Sequence, residues 1–230
     1  MKAILLDIEG TTTPIDFVHK TLFPFARERV ADYVRDHLNE LQLEIAQLTD
    51  ERLNEPRFSA PFRVDSPDSI AAFLKFLIDD DRKSTPLKSI QGKIWQAGYK
   101  SGELRSVVFD DVPAAFERWE EDGTTLAIYS SGSVLAQKLL FQHTNHGDLT
   151  PYISHYFDTN TGGKRDAASY SKIAGQLELD PAKVLFVSDI TAELDAARPA
   201  GMQTALSIRP GNAAVPEFNG HRTVTSLSAC

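Results

Sequence analysis

The sequence has almost no cysteine: the single one, Cys230, is the last of its 230 residues. An internal disulfide is therefore excluded, and a cysteine-based metal cluster or nucleophile is implausible, which indicates a reducing compartment. Long hydrophobic runs are missing too, because no stretch approaches the about 20 apolar residues that a membrane-spanning helix needs. The short apolar run at the start is interrupted by Asp7 and does not have the pattern of a signal peptide. We therefore expect a cytoplasmic protein.

The chain also lacks an excess of positive charge. Its formal net charge of -8 at pH 7 argues against a broad surface for nucleic acid or for an anionic membrane, and we expect neither partner. A phosphorylated small molecule would have to be bound by a local basic pocket. With 42% apolar and 24% charged residues, the chain can bury a substantial core, in one large domain or two small ones.

The spacing of the apolar residues changes along the chain. After a short apolar run at residues 3–6, apolar side chains recur at intervals of three and four from about Asp16 to about Glu103, which predicts helices. From about Arg105, apolar strand-like runs alternate with helical segments, and the strings TLAIYS, ISHYFD, KVLFVSD and finally QTALSIR are the predicted strands. This alternation is typical of a parallel sheet covered by helices on both faces.

We therefore predict an α/β fold with a doubly wound parallel sheet and an inserted helical cap domain. The predicted core domain combines residues 1–16 and 104–230, and the cap domain is residues 17–103. In open parallel sheets, ligands bind at the carboxyl ends of the strands. The polar residues at or just beyond four predicted strands should therefore share one crevice; they are Asp7, Ser130, Lys164 and Asp189.

Each of these side chains has an ordinary structural explanation when it is taken alone. A strand-end acid can be solvated or can cap a helix, and a lysine in a loop is usually solvated. Glu193 lies in the first turn of a predicted helix and can simply complement the dipole of that helix. The serines of the string SSGS can cap the helix that follows them; they are Ser130, Ser131 and Ser133.

Taken together, the same residues suit phosphoryl transfer. Asp7 and Asp189 form a hard oxygen site of the kind that Mg²⁺ prefers, and an aspartate can act as a covalent nucleophile through an aspartyl phosphate. Serine hydroxyls and Lys164 supply hydrogen-bond donors and positive charge for the transferring group. Glu9, two residues after Asp7, can protonate the leaving oxygen and later deprotonate the attacking water.

The pattern resembles the four-motif signature of the haloacid dehalogenase-like hydrolase superfamily: DIEGT at residues 7–11, Ser130 after a strand, Lys164, and Asp189 within VSD. The helical insert stands where that superfamily carries a cap over the active site. Most phosphatases of the superfamily have aspartate at the position of Glu9. With glutamate there, the strings LLDIEGTTTPIDFV, YSSGS and WQAGYKSGEL closely resemble the enolase-phosphatases of methionine salvage.

The resemblance implies a monomeric enzyme with one Mg²⁺ per subunit, acting on 2,3-diketo-5-methylthiopentyl-1-phosphate. Such an enzyme enolises the diketone and then removes phosphate, giving the acireductone 1,2-dihydroxy-3-keto-5-methylthiopentene. Glu9 would contribute its main-chain carbonyl to the metal. By position, the resemblance implies Asp7 and Glu9 as catalytic residues, Asp7, Glu9 and Asp189 at the metal, and Ser130, Ser131 and Lys164 at the substrate phosphate.

Some alternatives stay open at this point. The base that takes the carbon-bound proton is either Glu9 or an unidentified residue of the insert. A general small-molecule phosphatase or a phosphosugar mutase of the same superfamily is the alternative enzyme, and Glu9 in place of aspartate weighs against both. A receiver domain that accepts phosphate on a strand-end aspartate needs no insert of this size, and a silent ligand-binding relative does not need the complete motif set.

Overall fold

The computed structural model describes residues 1–215 and 217–230. The chain divides into two compact units, a core unit of Met1–Val18 and Arg105–Cys230 and a helical unit of His19–Leu104. The predicted boundaries, after residues 16 and 103, lie close to these limits. The assignment of the two units as a catalytic core domain and a cap domain remains a prediction.

Within the described residues of the core unit, six strands form one parallel sheet, which confirms the predicted α/β fold. The strand order is β3-β2-β1-β4-β5-β6, so that the first strand is central and pairs with the second and the fourth. All residues of the first and fourth strands are buried, as parallel strands covered on both faces require. The strands are β1 (Ala3–Leu6), β2 (Thr125–Tyr129), β3 (His155–Phe157), β4 (Val184–Ser188), β5 (Gln203–Ser207) and β6 (Arg222–Val224).

The prediction that QTALSIR is the last strand is wrong, because β6 pairs with β5 beyond it, with Val224 opposite Ser207. β6 has only three residues, and two of them, Arg222 and Thr223, are exposed. A strand this short and polar has no apolar run by which the sequence could reveal it.

Helices alternate with the strands of the core unit. The rings of Tyr129 in β2, Phe186 in β4 and Tyr170 in the fourth of these helices pack together on one face of the sheet. The ring of Tyr170 therefore packs against side chains of both β2 and β4. The helices of the core unit are α1 (Ile15–Phe17), α6 (Val112–Glu121), α7 (Val134–Gln142), α8 (Ala167–Gln176) and α9 (Thr191–Ala197).

The helical unit contains four α-helices; the apolar spacing predicted a helical segment here but not the number of its helices. Serines cap two of them: Ser66 accepts a hydrogen bond from the amide of Ser69, and Ser84 accepts one from the amide of Leu87. Proline in the first turn favours both starts. The helices are α2 (Phe23–His37), α3 (Gln42–Leu53), α4 (Pro67–Asp79) and α5 (Thr85–Ser101), and a π-helical segment, Val18–Leu22, precedes α2.

Close packing in the helical unit depends on a glycine in α5. A Cβ atom added at Gly98 would lie 2.3 Å from Cζ of Phe25 and 2.5 Å from Cε1 of the same ring. Phe25 belongs to α2 and is buried. Because Gly98 has no side chain, α5 can approach the ring of Phe25 directly.

We expect Gly98→Ala to destabilise the protein by about 1–3 kcal/mol, since the added methyl group overpacks this contact. Urea unfolding followed by circular dichroism measures the change. Gly175→Ala is the matched control, because Gly175 lies in α8 with nothing within 4 Å of its added Cβ; alanine there should be neutral or stabilise by about 0.5–1 kcal/mol. Equal unfolding midpoints for the two variants would contradict the packing described here.

Candidate active site

The site lies at the carboxyl edge of the core sheet, where the strand order reverses. The chain places β2 and β3 on one side of β1, and β4, β5 and β6 on the other. Asp7 directly follows β1, Asp189 directly follows β4 and Ser130 directly follows β2. A reversal of strand order opens a crevice between the connections at that edge. The sheet therefore brings these three predicted site residues to one region.

Three hydrogen-bond donors fix the carboxylate of Asp7. Its Oδ1 accepts a hydrogen bond from the amide of Ile8 at 2.7 Å and lies 2.7 Å from Nζ of Lys164. Oγ of Ser188 lies 3.2 Å from Oδ2 of Asp7 and shares its single proton between this carboxylate and that of Glu193. Asp7 is only 5% exposed. A buried carboxylate with both oxygens engaged is held in one orientation.

Lys164 is not a solvated loop lysine. Its side chain is 10% exposed, and Nζ lies 2.7 Å from Oδ1 of Asp7 and 2.7 Å from Oε2 of Glu193. Burial alone would lower the pKa of Lys164, but the negative charges of Asp7 and Glu193 raise it above its ordinary value. The ammonium therefore stays charged and bridges the two acids.

Glu193 contributes more than a charge near a helix dipole. It is buried in the first turn of α9 and accepts a hydrogen bond from Oγ of Ser188 at 2.9 Å, besides pairing with Lys164. Burial and the negative charge of Asp7 raise the pKa of Glu193 to about 7, although Lys164 and Ser188 oppose this shift. Sequence reasoning gave Glu193 no place in the site. The available signal was its position four residues after Asp189, in the helix that starts at the same sheet edge.

Asp189 lies in an acidic environment with little compensation. Burial, followed by the negative charges of Asp7 and Glu193, raises the pKa of Asp189 to about 7. Its carboxylate lies against the backbone of Gly10, since a Cβ atom at Gly10 would be 2.4 Å from Oδ2 of Asp189. Gly10 also has φ of +65°, a conformation that favours glycine. Any larger residue at position 10 would displace Asp189.

The crowded carboxylates of Asp7 and Asp189 are suited to a divalent cation. Across residues 1–215 and 217–230, no three or more His, Cys, Asp or Glu side chains are grouped in a way that could hold a metal ion. A cation here would therefore use two carboxylates and complete its shell with main-chain or water oxygens. Mg²⁺ accepts such a site, because it usually keeps several waters and needs only one or two carboxylates.

Glu9 lies in a tight turn directly after Asp7. The amides of residues 11–13 all donate to the carbonyl of Ile8, at 2.9 to 3.2 Å, and the amide of Gly10 donates to the carbonyl of Thr13 at 2.8 Å. Glu9 itself is half-buried. Hydrogen bonds therefore hold the main chain of this turn in one conformation, with Glu9 two residues after Asp7.

Residues at and after the end of β5 hold the same turn from another direction. Ser207 Oγ and Asn212 Nδ2 each donate to the carbonyl of Gly10 at 3.0 Å. Nε of Arg209, a buried residue, donates to the carbonyl of Thr11 at 3.2 Å. Sequence reasoning missed these three residues, which lie about 200 positions away from the turn that they support.

The serines after β2 divide between capping and the site. Ser133 caps α7, since its Oγ accepts a hydrogen bond from the amide of Ala136 at 3.3 Å. Ser130 is buried and its Oγ accepts a hydrogen bond from the amide of Gly132 at 3.2 Å, while Ser131 is half-buried. The capping explanation thus applies to Ser133. The phosphate-binding role of Ser130 and Ser131 remains a prediction.

Known proteins resemble this chain over almost its whole length. A haloacid dehalogenase-like hydrolase family model matches residues 1–201. Enolase-phosphatase E1 of Synechococcus elongatus is 56% identical in an alignment of 228 positions that covers 97% of this chain and 95% of that protein. Enolase-phosphatase E1 of Drosophila melanogaster is 47% identical over 224 residues, 94% of this chain and 86% of that protein. The crystal structure of the UTR4 protein of Saccharomyces cerevisiae matches with a TM-score of 0.81 at 34% identity, covering 98% of this chain and 97% of that one.

The raised pKa of Asp189 gives the metal-free protein a defined dependence of stability on pH. With a folded pKa of about 7 and an unfolded pKa of about 4, the folded state binds more protons between these values. The free energy of unfolding should therefore fall as the pH rises through this window. In EDTA, Asp189→Asn should be the more stable protein at pH 8, by about 1–2 kcal/mol.

Urea unfolding of the wild type and of Asp189→Asn at pH 5 and pH 8 measures this difference. Asp180→Asn serves as the control, because Asp180 is an exposed helix-capping acid for which asparagine is an equally good cap. An identical pH dependence in the wild type and in Asp189→Asn would show that Asp189 is not crowded by its neighbours.

Proposed function

The chain belongs to the haloacid dehalogenase-like hydrolase family and, within it, to the enolase-phosphatases, and we propose that it converts 2,3-diketo-5-methylthiopentyl-1-phosphate to the acireductone and inorganic phosphate in methionine salvage. One observation carries the proposal. The carboxylate of Asp7 is buried, oriented by three donors and paired with Lys164 at the end of the central strand, in a chain 56% identical to an enolase-phosphatase.

In the phosphatase step, we assign the nucleophile to Asp7. Its carboxylate attacks phosphorus, the bond from phosphorus to the substrate oxygen breaks, and an aspartyl phosphate forms. Glu9 protonates the departing oxygen, then deprotonates the water that hydrolyses the aspartyl phosphate and returns Asp7 to its carboxylate form. Donors and positive charge for the phosphoryl oxygens come from the predicted phosphate-binding residues; these are Ser130, Ser131 and Lys164.

Enolase-phosphatases of this family are typically metal-dependent, and we propose one Mg²⁺ per chain. Its ligands would be the carboxylates of Asp7 and Asp189 and the main-chain carbonyl of Glu9. When bound, such an ion supplies positive charge that offsets the two carboxylates and polarises carbonyl and phosphoryl oxygens of the substrate. Burial and the negative charges of Asp7 and Glu193 raise the pKa of Asp189, and a divalent cation at this place would offset both effects, which supports this ligand set.

The enolisation step removes a proton from a carbon next to a carbonyl group. Glu9 is our first assignment for the base, because its turn is fixed by hydrogen bonds on both sides of Gly10. A residue of the helical unit is the second. If Glu9 serves both steps, a single carboxylate handles the carbon-bound proton and the proton of the leaving oxygen.

The location, the oligomeric state and the binding partners also belong to the proposed function. We propose a cytoplasmic monomer whose partner is the small phosphorylated diketone, with no nucleic acid or membrane partner. The net charge of -8 supports the absence of these polyanionic partners. None of the helices in the described part of the chain is long and apolar enough to cross a membrane.

Incubation of the purified protein with the diketo phosphate and Mg²⁺, following enol absorbance and inorganic phosphate separately, tests the function. The wild type should produce both signals. Asp7→Asn should lower the rate of phosphate release at least about 10³-fold, because the amide cannot attack phosphorus. Asp180→Asn, which changes an exposed acid, should keep the wild-type rate. Phosphate release by Asp7→Asn at a normal rate would rule out the covalent mechanism.

Glu9→Gln separates the two assignments of the enolisation base. If Glu9 is that base, enol formation and phosphate release should both fall by about 10²- to 10⁴-fold, the usual contribution of a general acid or base. The same two-signal assay measures both rates. Enol accumulation at the wild-type rate, with phosphate release lost, would assign the base to another residue and leave Glu9 only its role in phosphoryl transfer.

A further inference from the structure

Lys164 must be placed accurately although it stands on irregular backbone. Residues 158–166, between β3 and α8, belong to no helix or strand. Nζ of Lys164 nevertheless lies 2.7 Å from both Asp7 and Glu193. A lysine side chain has many rotamers, and a loose backbone would add to them. The main chain near Lys164 therefore has to be held by something other than secondary structure.

Three side-chain hydroxyls hold it. Tyr129 donates to the carbonyl of Gly162 at 2.8 Å, Ser169 donates to the carbonyl of Gly163 at 2.8 Å, and Tyr170 donates to the carbonyl of Lys164 at 2.6 Å. The three acceptors are consecutive in the chain and end at Lys164 itself. We call the donors Tyr129, Ser169 and Tyr170 the hydroxyl clamp.

The hydroxyl clamp is anchored on regular structure. Tyr129 ends β2, and Ser169 and Tyr170 lie in the first turns of α8. All three residues are buried. The rings of Tyr129 and Tyr170 meet edge to face with centroids 5.6 Å apart, and the ring of Tyr170 packs against Phe186 of β4 at 5.0 Å. Donors mounted this way have little freedom, so their positions are transmitted to the loop.

Two further contacts show that the hydroxyl clamp and the loop of Lys164 fit together closely. The ring of Tyr129 lies beneath the ammonium of Lys164, with 5.8 Å from Nζ to the ring centroid. A Cβ atom added at Gly162 would lie 2.1 Å from Oγ of Ser169, so only glycine permits the approach of loop and helix. The loop is thus fitted to the clamp at both of its ends.

We propose that the hydroxyls of Tyr129, Ser169 and Tyr170 are positioning residues that act through Lys164 on the binding of the phosphate group. This inference rests on the proposed function, in which Lys164 contacts the substrate phosphate. The clamp residues do not touch the substrate themselves. Tyr129 also directly precedes Ser130. The end of β2 therefore carries one phosphate-binding candidate, Ser130, and a residue that positions another, Lys164.

Tyr170→Phe tests the inference, because it keeps the ring and removes only the hydrogen bond to the carbonyl of Lys164. Calorimetry with Mg²⁺ and inorganic phosphate as the probe should give a dissociation constant raised about fivefold, the usual effect of one lost hydrogen bond. In a Lys164→Met background, adding Tyr170→Phe should change that constant no further. Tyr129→Phe and Ser169→Ala should behave in the same way and serve if Tyr170→Phe folds poorly.

Matched controls change hydroxyls outside the clamp. Ser171→Ala removes an exposed hydroxyl of the same helix, and Tyr152→Phe removes a tyrosine hydroxyl elsewhere in the core unit. Both should keep the wild-type phosphate affinity, and thermal unfolding of every variant reports whether its fold is intact.

Unchanged affinity in Tyr170→Phe, or an equal loss with and without Lys164, would overturn the inference, because the clamp would then not act through Lys164. The effect of Lys164→Met alone would in that case still support its assigned role. Unchanged phosphate affinity in Lys164→Met would overturn that role in the proposed function, and the inference with it.

Discussion

The ammonium of Lys164 lies 2.7 Å from Asp7 on one side and 2.7 Å from Glu193 on the other, and the acidic site depends on this cation. The carboxylates of Asp7, Asp189 and Glu193 repel one another in a region where burial disfavours negative charge. Lys164 compensates the acids that it touches, but the pKa of Asp189 and that of Glu193 are still raised to about 7. The electrostatic field of the site thus remains short of positive charge, which is the condition that a bound divalent cation relieves.

Both irregular segments of the site are held by side-chain donors from other parts of the core unit. The turn after β1 receives donors from Ser207 and Asn212 on the carbonyl of Gly10 and from Arg209 on that of Thr11. The loop before α8 receives three hydroxyl donors on residues 162–164. Main-chain carbonyls in loops have no strand or helix partner, so buried side-chain donors can satisfy them and hold the loop in place.

The sequence predicted the parts of the site that follow buried strands. Asp7 directly follows an apolar run and Asp189 follows another after Ser188, and parallel strands buried on both faces are recognisable by such runs. Lys164 was predicted at the same sheet edge because it follows the strand-like string ISHYFD, and the family resemblance added its role at the substrate phosphate. The role of Glu193 and the supports at Ser207, Arg209 and Asn212 depend on contacts between distant parts of the chain, which neither periodicity nor composition encodes. β6 was missed because its exposed residues give it no apolar pattern.

The contacts described for Asp7, Gly10 and Lys164 all come from Met1–Val18 and Arg105–Cys230. The chain leaves the core unit after Val18 and returns to it at Arg105, before α6 begins. Residues 19–104 therefore take no part in these contacts. Recombination that exchanged this segment for a different insert would leave each of these contacts within the inherited part of the chain.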